Sequence, residues 1–106
     1  MISSYVSIYL PTRDKSGQAV DNSVALNNAK VQMASMFGGF SQSEITGGWV
    51  NESQQLIEER VFVVKSFCEI LTAENLSKVI ELANLIKEEL NQECVSIETH
   101  EGLMFI

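Results

Sequence analysis

The chain predicts an α+β fold of ferredoxin-like type, ordered βαββαβ, with a four-stranded antiparallel sheet and both helices on one face. Three observations carry that prediction. Two stretches repeat apolar residues at spacings of three and four. Four stretches of strand length are rich in Val, Ile, Phe and Tyr. Glycines, asparagines and a single proline separate them. Two crossovers in this order bring all four strands into one sheet and leave both helices on the same side.

The second helix is the clearest element. In AENLSKVIELANLIKEEL, Leu76, Val79, Ile80, Ala83, Ile86 and Leu90 share one face, Leu82 and Leu85 widen it, and the charged residues take the other. Thr72 is placed to cap its start, Glu74 suits the first turn, and Asn91 suits a left-handed stop. So broad an apolar face needs a sheet to cover it.

The first strand spans Ile2 to Leu10, with Val6, Ile8 and Leu10 pointing one way and Tyr5, Ser7 and Tyr9 the other. Pro11 ends it, and the polar loop TRDKSGQAVDNS follows. Asp21, Asn22 or Ser23 can cap a first helix that runs to about Met36. Its stripe is Leu26, Ala29, Met33, Met36 and Phe37, flanked by Val24 and Val31. Gly38 and Gly39 then end it. Phe40 to Val50 is a second strand, in which Gly47 and Gly48 mark a bulge or a close approach of backbone or ligand. Leu56 to Glu69, with VFVV at its centre, reads as a central strand covered on both faces. Cys94 to Glu98 begins the last strand, and the chain ends on the apolar run LMFI.

At 106 residues and 45% hydrophobic content, the chain predicts one domain, residues 1–106, with one modest core. No apolar run reaches the roughly 18 residues of a membrane span, and no leader pattern precedes the first strand, so a cytoplasmic protein is expected. Formal net charge is −7. The first 43 residues hold three cations against two carboxylates, and the remainder four against twelve. That surface disfavours nucleic acid. Cys68 and Cys94 lack metal spacing and read as two buried free thiols. No cofactor is implied.

No catalytic set is visible. His100 is the only histidine and sits in the turn-like ETHEG. Glu58 and Glu59 fall on opposite faces of a strand and cannot act as a close pair. Neither EF-hand spacing nor a histidine cluster is present. The leading candidate site is the loop Pro11 to Gly17, where Thr12, Arg13 and Lys15 beside a helix N-terminus could cradle a phosphate or carboxylate. The second is Gly47, Gly48 and Trp49, where an indole beside bare backbone could stack a flat ligand.

The segments YLPTRD, FGGF, GGWV and ELNQECV, spread over most of the chain, resemble a group of small uncharacterised proteins encoded by bacteriophages, plasmids and their hosts. The resemblance implies a ferredoxin-like fold and a mobile-element origin, and it transfers no catalytic residue. The expectation is therefore a non-enzymatic binding protein, an inhibitor or sponge against a host defence. It would be a homodimer joined through the open sheet face or the LMFI tail, engaging a host protein or a small anionic, nucleotide-like ligand. The alternative is a small-molecule enzyme with a pocket between the sheet and helices of a dimer, in which Tyr5, Tyr9, His100 or a carboxylate handles a proton.

Overall fold

The computed structural model describes all 106 residues. The elements are β1 (Ser4–Pro11), α1 (Ser23–Phe37), β2 (Ser41–Val50), β3 (Leu56–Cys68), α2 (Ala73–Glu89), β4 (Ser96–Thr99) and β5 (Gly102–Phe105). They build one five-stranded antiparallel sheet in the order β2-β3-β1-β4-β5. The first four strands take the predicted order, and β5 is an addition to the expected four-stranded sheet. The LMFI run belongs to this added strand. It folds back through His100 and Glu101 and pairs with β4, Ile97 opposite Met104. Thr99 Oγ1 accepts the Glu101 amide at 3.1 Å, and Gly102 supplies a positive φ of 139° at the corner.

Helix ends follow local chemistry. Thr72 accepts the Asn75 amide at 3.1 Å, Gly38 takes φ 85° and returns its N–H to Ala34, and Asn91 adopts φ 51°. Asn22 caps α1 by position, but its side chain donates instead to the Pro11 carbonyl at 2.9 Å, tying the helix start to the end of β1.

The core lies between the helices and one sheet face. Val6, Ile8 and Leu10 of β1 point into it, with Val64 of β3, Val95 just before β4, Ile97 of β4, and Met33, Val79, Ala83 and Ile86 from the helices. On α1 the buried line is Ala25, Ala29 and Met33, while Val24 and Val31 are exposed. Ala29 and Met33 are buried as expected, Leu26, Met36 and Phe37 pack half-buried against the core, and Ala25 extends the stripe where a small side chain lets the helix lie close to the sheet. Leu85, expected to widen the α2 stripe, is also exposed.

The register places Phe62 and Val64 on the helix side, opposite Leu10 and Ile8. The face turned away from the helices therefore carries Tyr5, Tyr9, Phe67 and Trp49 but not those two. Along this face β1 meets β3 only from Val61 onward. Leu56 to Arg60 pairs with Thr46 to Val50 alone, so this end of the hairpin projects past β1. No bulge forms at the glycines: Gly47 faces Glu59 and Gly48 faces Glu58 in unbroken register. A Cβ on Gly48 would lie 3.0 Å from the Ile57 carbonyl oxygen, so close backbone approach is what that glycine serves.

Replacing Ile8, fully buried at the centre of this core, by Ala is expected to cost about 3 kcal/mol. For a chain of this size that is a Tm drop on the order of 15 °C in a circular-dichroism melt. Val24→Ala, on the exposed side of α1, should stay within about 0.5 kcal/mol of the parent.

Candidate functional site

The largest cleft, about 740 Å³, opens on the sheet face away from the helices, in the angle between the projecting hairpin and two loops. Its volume is in the range of small-molecule sites. The space between sheet and helices, where a pocket was the alternative expectation, is filled by the core. Tyr9, Trp49, Ile57, Glu59 and Val61 form the sheet wall. One loop wall runs from Arg13 to Gly17, the other from Gln92 to Ser96.

The two loops are tied to each other. The Lys15 amide donates to the Asn91 carbonyl at 3.0 Å, and Gln92 Nε2 donates to the Arg13 carbonyl at 2.7 Å. Asp14 Oδ1 accepts the amides of Ser16 and Gln18, at 2.8 and 3.0 Å, and so shapes the first loop from within. The polar loop is long because it has this second strap to meet.

Of the residues singled out from sequence, the fold brings Arg13, Lys15 and Trp49 into the cleft. Thr12 is engaged elsewhere, its hydroxyl donating to the Arg60 carbonyl at 2.7 Å. Gly47 and Gly48 shape the strand but do not line the cleft. The expected cradle at the α1 N-terminus is separate from this cleft: Thr12 and Arg13 line a smaller neighbouring pocket with Asp21 and Asn22. The cleft does not reach Asn22 or Ser23, and Asp21 Oδ1 already accepts the Ser23 amide at 3.0 Å. That bond holds the Asp21 carboxyl below its usual range.

Glu59 is the sheet carboxylate of the cleft. Partial burial pushes its pKa up, and the nearby Arg13 guanidinium opposes the rise. Beside it on the same face, Glu98 collects both tyrosines of the chain. Tyr9 donates to Oε1 at 2.7 Å and Tyr5 to Oε2 at 2.8 Å. These bonds, Tyr9 first, hold Glu98 below the usual carboxylate range, with Lys65 adding to them. The same carboxylate raises the Tyr5 phenol and pushes Tyr9 up to about 12. Lys65 Nζ lies 4.1 Å from the Tyr5 ring centre and 4.8 Å from that of Phe67.

Sequence reasoning missed Glu59 and Glu98 as members of one face. Strand alternation gives each its side, but the register that sets them near Tyr9 is a tertiary fact. It also placed both thiols in the interior. Cys68 is half-buried, whereas Cys94 is exposed on the cleft rim. His100 lies in the β4–β5 turn, exposed and outside this cleft. No group of three or more metal-ligating side chains occurs, and no helix is long and apolar enough to cross a membrane.

The Tyr9–Glu98 bond has a measurable signature. The folded phenol titrates at about 12 and the free one at 10.0. Its contribution to stability is therefore complete below pH 10 and fades as pH rises toward 12. With only two tyrosines present, phenolate absorbance reports this network alone. Glu98→Gln should bring the titration back toward 10.

No protein-family model matches the chain, and no curated protein does. Two solved structures share its fold. A phage SAM lyase in complex with S-methyl-5'-thioadenosine superposes with a TM-score of 0.70 at 17% identity, covering 97% of this chain and 88% of the other. A phage SAM lyase in the apo state gives a TM-score of 0.58 at 18% identity, covering 99% and 89%. Similarity along almost the entire length to an enzyme overturns the expectation of a non-enzymatic binder and favours the alternative, a small-molecule enzyme.

Proposed function

We propose that this chain is a lyase acting on S-adenosylmethionine, with the cleft beside Trp49 as its active site. The observation that carries this reading is the fold shared along nearly the full length with a lyase holding S-methyl-5'-thioadenosine. The cleft supports it, because each part of such a substrate has a partner of matching chemistry there. The half-exposed Trp49 indole offers a stacking surface for adenine. Arg13 and Lys15 suit the amino-acid carboxylate, and Glu59 suits the ammonium or sulfonium. The mobile-element resemblance of YLPTRD and GGWV accords with such an activity, since removing a methyl donor weakens host defences that need one.

The chemistry asks little of the protein. The bond from sulfur to the side-chain methylene breaks with its electron pair staying on sulfur, which leaves as a neutral thioether. The substrate's own carboxylate forms the new carbon–oxygen bond and closes a five-membered lactone. No water is consumed and no proton need be removed. The opposite charges of sulfonium and carboxylate cancel as the reaction proceeds, so a water-poor cleft that folds the substrate on itself accelerates it. A chain without a Ser/His/Asp or Cys/His set can perform that step.

The open sheet face supports assembly with a second copy of the chain. Ile45, Phe67, Leu103 and Phe105 are exposed there by 40, 52, 54 and 69%. Edge strands β2 and β5 are unpaired on their outer sides. In sedimentation at micromolar concentration the parent should run as an oligomer and Phe105→Glu as a monomer. A monomeric parent would rule this assembly out.

The lyase reading is tested by incubating purified protein with S-adenosylmethionine and following both compounds by liquid chromatography. The expected result is one S-methyl-5'-thioadenosine formed per S-adenosylmethionine lost. Trp49→Ala and Glu59→Gln should each lower kcat/KM by about tenfold or more, equivalent to about 1.4 kcal/mol. Substrate that persists unbound and unchanged would defeat the reading.

A further inference from the structure

The lyase reading leaves unexplained how the cleft distinguishes its cationic substrate from the neutral thioether it releases. We propose that Tyr9, held by Glu98, is the wall that makes this distinction, with Tyr9 touching the sulfonium and Glu98 acting as its positioning residue. The proposal rests on the lyase reading and names the feature of the substrate that the site recognises.

Tyr9 lines the cleft, and its hydroxyl is committed to Glu98 Oε1 at 2.7 Å. The other oxygen of that carboxylate is fixed by Tyr5 at 2.8 Å. A carboxylate with both oxygens bonded cannot swing away, so the Tyr9 ring is pinned. A phenol that donates to an anion is richer in electron density than a free one, which strengthens the attraction of its face for a cation.

The protein's own cations leave that face available. Lys65 sits over Tyr5 and Phe67, Arg60 over Phe62 and Lys30 over Phe40, and none lies over Tyr9. Within the cleft the two cations, Arg13 and Lys15, stand among four carboxylates, Asp14, Glu58, Glu59 and Glu93. The charged groups around Tyr9 are thus Glu98 behind it, Lys65 beyond Tyr5, and, around the cleft, the cations Arg13 and Lys15 with the carboxylates Asp14, Glu58, Glu59 and Glu93. An incoming cation finds an electron-rich ring with a fixed carboxylate behind it.

A contact that favours positive charge is stronger before the bond breaks than in the transition state, where the charge is disappearing. It therefore lowers KM without raising kcat. Once sulfur becomes neutral the attraction is gone, and the product is free to leave.

The experiment compares KM and kcat for S-adenosylmethionine with the inhibition constant of S-methyl-5'-thioadenosine. Parent, Tyr9→Phe, Glu98→Gln and the double variant are measured, each checked for folding by a melt. Both single variants should raise KM by about fivefold to tenfold, leave product inhibition unchanged and not lower kcat. The double variant should be no worse than either single one, because both cut the same bond. If KM and the inhibition constant rise together, or if kcat falls at constant KM, the charge-reading role is wrong. A parent that never consumes S-adenosylmethionine sinks the lyase reading instead. Selectivity is then the ratio of the two compounds' dissociation constants, and a ratio that Glu98→Gln leaves unchanged overturns the proposal. If Glu98→Gln fails to fold, Tyr9→Phe, which keeps the ring, decides alone.

Discussion

The whole molecule depends on β1 being hydrogen-bonded along both edges, to β3 on one side and β4 on the other. That double pairing fixes which way every side chain of β1 points. Val6, Ile8 and Leu10 go to the helices and are fully buried. Tyr5, Ser7 and Tyr9 go to the opposite face. A slip of one residue would exchange the two sets, placing two phenols in the core and three aliphatic side chains in water. The core thus enforces the register, and the register delivers Tyr9 to the cleft and Glu98 to Tyr9.

The cleft arises from unequal lengths. β3 is 13 residues long and β1 only eight, so the β2–β3 hairpin overshoots its neighbour. The angle left behind is walled by loops that follow β1 and precede β4. Those loops hydrogen-bond to each other through Lys15, Asn91, Arg13 and Gln92, so each depends on the other for its shape. Trp49 stands on the overshoot, which explains why so large a side chain remains half exposed.

Under the proposed lyase reading, the scarcity of catalytic groups in the sequence is no obstacle, because such a reaction needs neither a base nor a nucleophile from the protein. A sulfonium leaving as a thioether, displaced by a carboxylate of the same molecule, brings both nucleophile and leaving group with it. In that reading the protein contributes shape and charge placement. Those properties belong to a surface, and no short motif encodes them.

The sequence by itself determined the elements and their faces. The i, i+3, i+4 spacing of α2, the alternation of β1, and the stops at Gly38 and Asn91 act among residues a few positions apart, and they appear in the structure as expected. Only the tertiary structure decided the rest. The final strand split into a hairpin because LMFI found an open edge on β4, and Ala25 joined the buried stripe of α1 where the helix meets the sheet. Thr12 went to a β3 carbonyl and lines a neighbouring pocket instead of the cleft beside Trp49. Glu98 met Tyr5 and Tyr9 across sequence separations of 93 and 89 residues. Local spacing is legible because the forces behind it act within one turn or one pleat. The site was not, because its geometry exists only after strands distant in the chain have been paired in register.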